Sequence, residues 1–229
     1  MANSQIHRAF ELTEFTGLPG AVVTRLSGRE EISRPFHYEV ELLTRSSESD
    51  GAVDSSTLLG QSATVSFING AGDERHVNGV VSAFTHVDYG LRHHAYRAVL
   101  RPAFWLLTRR ADCRIFQKKT APEIFAAVCS QAGLGITHRS ALSAQYRPWE
   151  YRVQYRETDF DFLSRLLEHE GIYYYFEHSR GKHQIVLADD AARLTEAAGY
   201  KEVPYYPPST AAAQRERDHL KSWTLHETF

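Results

Sequence analysis

Cysteine is nearly absent. Cys113 and Cys129 are the only two in 229 residues and form no close pairing motif. That excludes a disulfide framework and a thiolate zinc site, and leaves two buried free thiols as the expectation. No apolar run approaches the ~20 residues that cross a bilayer. Met1 to Glu14 has neither a basic start nor an apolar core, so synthesis is expected to end in the cytoplasm. Charge of one sign does not accumulate either: 26 Lys and Arg face 28 Asp and Glu, a net charge of -2. Without a basic run to track a phosphate backbone, nucleic acid is not an expected partner. Nucleophile elbow, P-loop and dinucleotide fingerprint are all missing; Gly70-Ala71-Gly72 lacks the third glycine and precedes a strand rather than a helix.

What the chain does have is alternation and rings. With 42% hydrophobic and 12% aromatic residues in 26.0 kDa, there is material for one large domain or two ordinary ones. After a turn at Phe15 to Gly20, Ala21 to Leu26 alternates weakly as a strand. Phe36, Tyr38, Val40 and Leu42 then alternate with His37, Glu39 and Glu41, which predicts a half-buried antiparallel strand. Ser46 to Ser56 is a polar loop, and Ala63 to Ile68 rises into Asn69–Asp73, a hairpin signal. Val77 to Val87 and His94 to Leu107 read as a second long pair around Asp88-Tyr89-Gly90. Arg114 to Gln117 is a short strand. Thr120 and Glu123 then form a capping box, with Pro122 tolerated in the first turn, Ile124, Phe125, Val128 and Cys129 as the stripe, and Gly133 and Gly135 as the stop.

The same order recurs from Tyr151 to Leu187. Arg152, Gln154 and Arg156 alternate with Val153 and Tyr155 as a strand. Thr158 caps a helix, Asp161 can reach back to it, and Asp159 sits where the helix dipole favours a carboxylate. Phe160, Leu163, Leu166 and Leu167 recur at helical spacing until Gly171 ends the helix. Ile172 to Phe176 is almost wholly aromatic, as in a strand buried on both faces or against a partner chain. Ser179 to Lys182 turns it back into Gln184 to Leu187. Beyond that, Ala188 to Ala198 reads as a short helix, Val203 to Thr210 as a proline-rich connector, and Ser222 to Leu225 as the beginning of a strand.

Three constellations invite a chemical reading. Glu157, Asp159, Asp161 and Glu168 occupy the first, third, fifth and twelfth positions of a calcium loop, but Phe162 stands where that loop needs glycine. Helix-capping acids account for the same residues. In Glu168-His169-Glu170, neighbours on a helix point ~100° apart and cannot converge on one ion. His93 and His94 would face opposite sides of a strand, while His178 and His183 flank a turn as two exposed imidazoles without a carboxylate or thiol, a weak metal site. No catalytic, cofactor-binding or metal residue is assigned, and no cofactor is expected. The residues by themselves describe an α+β protein, mainly antiparallel β, with two short capped helices and no visible catalytic apparatus: a scaffold or binding part.

Several phrases resemble the wording of the VgrG family (Rhs element Vgr proteins), the spike-tip proteins of the bacterial type VI secretion system. The most specific is Arg152 to Phe176, RVQYRETDFDFLSRLLEHEGIYYYF; supporting it in order are Glu31 to Phe36, Leu58 to Gly60, Gly79 to Val81, Leu100 to Pro102 with Leu106 and Leu107, and Arg114 to Gln117. The resemblance implies a phage baseplate-hub-like fold with barrel-like subdomains. The first subdomain would occupy residues 1–110, a strand-helix-hairpin region 111–200, and a connector with the start of an incomplete second barrel 201–229. It further implies a homotrimer forming a pseudo-sixfold ring on the hexameric Hcp tube, with baseplate proteins and secreted effectors as further partners. The family's OB-fold and β-helical needle, through which a target membrane would be met, find no match here, nor do the last strands of the second barrel. The chain is therefore expected to be truncated. Assembly in the bacterial cytoplasm followed by secretion or delivery into a target cell is also implied. One alternative is the tail hub of a contractile phage or phage-like particle; another is a metal-dependent hydrolase using Asp159, Asp161, Glu168 and His169.

Overall fold

Alternation along Phe36 to Leu42 does place Phe36, Val40 and Leu42 in a core, and the sheet built on it dominates a computed structural model of the chain. The structure describes residues 10–13, 15, 18, 20–45, 53, 55–68, 73–89, 93–194, 201–206, 219–220 and 222–225. Six strands form one antiparallel sheet: β1 (Phe10–Thr13), β2 (Val22–Arg29), β3 (His37–Arg45), β4 (Ser62–Ile68), β5 (Glu74–Tyr89) and β6 (His93–Arg101). Their order is β1-β4-β5-β6-β3-β2. The sheet curls until its edge strands β1 and β2 touch without forming a ladder, making a half-barrel. Bulges between Val23 and Arg25, Val81 and Ala83, and His86 and Asp88 supply the bending. Val40, Leu42, Val65, Val81, Ala98 and Leu100 fill the concave side.

Against this half-barrel lies a second core. The predicted strand from His94 to Leu107 is corrected here: β6 ends at Arg101, and Ala103–Arg109 forms a 3-10 helix. Pro102 has no N–H for the ladder, and the helical turn drops Phe104 and Leu107 into the new core. Around them stand β7 (Ala111–Lys119), α1 (Ala121–Ala132), β8 (His138–Ala141), β9 (Trp149–Thr158), α2 (Asp159–His169), β10 (Tyr173–Ser179) and β11 (Lys182–Ala188). β7 and β9 pair alone; β10, β11 and β8 form a three-stranded sheet in which β8 runs parallel to β11. Both helices start as their sequences dictate. The Thr120 hydroxyl accepts from the Glu123 N–H and Glu123 answers at the Thr120 N–H, while the Thr158 hydroxyl accepts from the Asp161 N–H. Gly133 and Gly171 follow the helix ends at φ 66° and 71°.

Other expectations shift. Cys129 is buried, but Cys113 is exposed, because the bulge beside Asp112 sends it outward on β7. Phe160 lies only partly buried at the rim of the core; Phe162 takes the fully buried place beside Leu163. The hairpin at Asn69–Asp73 is consistent with the pairing of Ile68 and Glu74, although residues 69–72 lie outside the described residues. So do most of Ser46 to Ser56 and residues 195–198 of the expected late helix, of which Ala191–Arg193 is a 3-10 turn. Ser222 to Leu225 is not a strand; nearby, Tyr205 and Leu220 form an isolated bridge, too little to start a ladder.

Gly79 on β5 lies where a side chain would have no room. A Cβ there would stand 3.0 Å from the Leu100 Cβ, 3.1 Å from the Arg101 carbonyl and 3.2 Å from the Phe36 ring. Backbone and core ring cannot withdraw together, so Gly79→Ala should lower stability by about 1–3 kcal/mol, read as a shift in the denaturant midpoint at unchanged slope.

Candidate functional site

The seam between half-barrel and hairpin is built on Phe36, which is fully buried. Its ring meets Phe176 edge-on at 5.1 Å, His178 at 4.8 Å and His183 at 5.6 Å. Asn78 of β5 holds both histidines. Its Nδ2 donates to Ser62 Oγ, the Ala63 carbonyl and Thr64 Oγ1 at 3.0, 3.3 and 2.8 Å, which orients Oδ1 toward His183 Nδ1 at 2.7 Å. His183 Nε2 accepts the Ala103 N–H at 2.9 Å, so Nδ1 carries the proton and donates to Asn78. His178 Nδ1 lies 3.2 Å from the Asn78 N and 3.1 Å from its carbonyl oxygen, and Nε2 is 3.5 Å from Glu30. The two imidazoles are therefore internal joints rather than exposed rings at a turn. The ring nitrogens of His183 are both engaged, which removes the metal reading.

Burial, with His178 as the second cause, pushes His183 down to about 4. A histidine whose folded value lies below its unfolded value near 6.5 contributes stability above that value and loses it as pH falls toward 4. Denaturant titrations at successive pH values should show wild type losing up to about tenfold in the folded-to-unfolded ratio per pH unit across that window. His183→Phe should be less stable at pH 7 and show a flatter slope.

The calcium-like constellation is dismantled by the structure. Asp159, expected as a helix-capping acid, is 1% exposed. Its carboxylate meets Arg114 Nη2 at 2.5 Å, Arg110 Nε at 3.4 Å and Gln154 Nε2 at 2.8 Å, while its N–H donates to the Arg110 carbonyl at 2.9 Å. Gln154 Oε1 in turn accepts from Arg114, and Arg110 donates to the Ala132 carbonyl. One carboxylate thus ties β7, β9, the end of α1 and the start of α2. Glu157 is paired with Arg165, which holds its carboxyl below the ordinary range. Asp161 accepts the Thr158 hydroxyl, and His169 packs on Trp149. Asp159, Asp161, Glu168 and His169 do not converge, and no metal-ligating cluster exists among the described residues. The hydrolase alternative loses its site. Asp159→Ala should cost about 3–5 kcal/mol as a broken buried pair, against about 1 kcal/mol for Asp161→Ala, with metal content unchanged in both by elemental analysis.

Sequence reasoning missed an exposed apolar face. On β9 it is the polar face that turns inward: Gln154 is fully buried and Arg152 lies 3.6 Å over the Trp149 ring. The apolar face therefore points out, with Tyr151 and Tyr155 each 64% exposed, Val153 40%, and its cross-strand partner Ile115 65%. Both outer edges of this two-stranded sheet lack a ladder partner among the described residues. Of the two places expected for the tyrosine-rich strand, the core or a partner, it takes mostly the first: Tyr174 is buried and Phe176 packs on Phe36.

A curled antiparallel half-barrel joined to a helix-bearing, mixed-sheet core defines a tail-hub architecture. Residues 29–229 match the family described as phage tail baseplate hub (GPD). The chain is 43% identical over 225 residues to the type VI secretion system spike protein VgrG1b of Pseudomonas aeruginosa, covering 98% of this chain and 29% of that one. A Vibrio cholerae relative named actin cross-linking toxin VgrG1 is 33% identical over 80% of this chain and 17% of its own. Among solved structures, an E. coli type VI secretion component described as similar to bacteriophage T4 tail proteins superposes with a TM-score of 0.69 at 28% identity, covering 88% of this chain and 53% of that one. The chain belongs to the VgrG spike-protein family, within the phage tail baseplate hub class. It spans under a third of the length of the curated relatives it matches.

Proposed function

We propose that the chain is the structural hub part of a type VI secretion spike, a scaffold rather than an enzyme. In the whole protein it would stand in a homotrimer whose pseudo-sixfold ring seats on the hexameric Hcp tube and carries the needle. Baseplate proteins and secreted effectors would be its further contacts. Assembly would occur in the bacterial cytoplasm before delivery outward. The division at 1–110, 111–200 and 201–229 belongs to the same reading.

The observation that carries this proposal is the uncovered β7–β9 face. Ile115, Tyr151, Val153 and Tyr155 present a contiguous apolar surface on a two-stranded sheet, which is marginal alone and favours burial against a neighbour. Likeness to VgrG spike proteins over nearly the whole chain supports the spike over the phage-tail alternative. The test is native mass of the full-length protein. Val153→Asp with Tyr155→Asp should shift a trimer toward monomer while leaving the melting of the monomeric hub within about 0.5 kcal/mol, as exposed substitutions do. A trimer that survives both substitutions would remove the β7–β9 face from the assembly.

A further inference from the structure

The two outer edges of the β7–β9 sheet are not alike. On β9, the Val153 carbonyl accepts from Arg165 Nη2 at 2.7 Å, and the Glu157 carboxylate accepts the Tyr155 N–H. Glu157 and Arg165 are themselves an ion pair, so one charged couple closes that edge to a further strand. The same bonds fix the phase of the ladder. Residues opposite one another in an antiparallel pair either exchange both backbone bonds or turn both groups away. Tyr155 and Val153 turn theirs away from β7, so their partners Cys113 and Ile115 turn theirs away from β9, and Gln117, opposite Tyr151, does the same two residues on. The Cys113 N–H is taken by Asp112 Oδ1 at 2.7 Å. Ile115 and Gln117 are left with N–H and C=O groups aimed at the open side of β7, where no strand pairs with them among the described residues.

This open edge borders the uncovered face, because Cys113, Ile115 and Gln117 share one side of the sheet with their partners Tyr155, Val153 and Tyr151. Elsewhere the chain carries the converse, a strand-like segment without a sheet. Residues 222–225 alternate polar and apolar side chains yet take no regular secondary structure, which leaves Trp223 and Leu225 74% and 73% exposed. Within one chain the two features do not meet: β7 pairs with β9 alone. A threefold ring cannot close through one self-complementary patch; each copy must present one surface and receive a different one. The β7 edge and residues 222–225 form such a pair, since one lacks a strand and the other lacks a sheet.

We propose that residues 222–225 of one copy add as a strand to the free edge of β7 in the next copy, around the trimer. Backbone bonds to Ile115 and Gln117 hold the added strand. Trp223 and Leu225, which share one side of it, pack beside Ile115 and extend the apolar layer, while Ser222 and Thr224 face the other way. The addition turns a marginal two-stranded sheet into a three-stranded one. This inference rests on the trimeric hub reading and names the segment that its β7–β9 face receives.

Cys113, exposed on this edge, serves as one crosslinking handle, and Ser222→Cys supplies the other while keeping Trp223 and Leu225. In the full-length protein a short bismaleimide should join the two between chains, giving covalent dimers and trimers on a denaturing gel that vanish with Cys113→Ser. Trp223→Asp with Leu225→Asp should raise the protein concentration needed for half-assembly at least tenfold without lowering the melting temperature of the 229-residue chain. A link formed within one chain, an intact trimer that gives no link, or a trimer indifferent to the Trp223 and Leu225 substitutions would overturn the strand exchange and leave the hub reading standing. A monomeric full-length wild type would instead sink the hub reading, and edge docking is then read by titrating the isotope-labelled 229-residue chain with an acetylated peptide of residues 219–227. Saturable shifts of the Ile115 and Gln117 amides that Trp223→Ala in the peptide abolishes support the docking; amides that do not move overturn it.

Discussion

The structure depends on how Asn78 is held. Its amide has one arrangement in which Nδ2 meets three acceptors at the start of β4, and that arrangement leaves Oδ1 facing His183. His183 passes the constraint to Ala103, where the chain leaves the half-barrel and enters the second core. A single polar chain thus joins sheet, hairpin and connecting helix, and its low-dielectric surroundings strengthen each link while making a missing one costly. Phe36 fills the apolar space around it, and the bare backbone at Gly79 leaves room for the Phe36 ring.

The second core is organised by the opposite device, a charge. Asp159 begins α2, where the helix dipole favours an acid, and its burial is matched by Arg114 and Arg110, which arrive from β7 and the chain just before it. Gln154, fully buried on β9, occupies the space between and accepts from Arg114 while donating to Asp159. This is why β9 presents its polar side to the core and its tyrosines to solvent. The uncovered face follows from the ion network: one side of a strand cannot supply both the buried glutamine and the buried rings. This exposed face is the one on which the proposed assembly rests.

Much of this was legible in advance. The two capped helices, their glycine stops and the hairpin from Tyr173 to Ala188 are local devices, and each formed where Thr120, Thr158, Gly133 and Gly171 place it. Alternation found β3 and β4 because one face of each is apolar. It failed at Pro102, where the turn into a 3-10 helix is dictated by a core that Phe104 and Leu107 enter. It also passed over β8, three polar residues and an alanine that are a strand only because β11 runs alongside. The chemical candidates were harder still. Asp159 and Asp161 look alike in sequence, yet one is a buried ion partner and the other a surface cap, since only folding brings Arg110 and Arg114 to the first.

By itself the amino-acid order determined most of the strands, the two capped helices with their boundaries, and the family, all of which rest on residues within a few positions of one another. Tertiary structure alone decided which face of β9 is inside and that His178 and His183 are joints rather than ligands. Those outcomes depend on pairs such as Asn78 with His183 and Arg114 with Asp159. Local preference carries no information about partners so distant in sequence; burial, charge pairing and the directionality of hydrogen bonds select them only once the two cores have met.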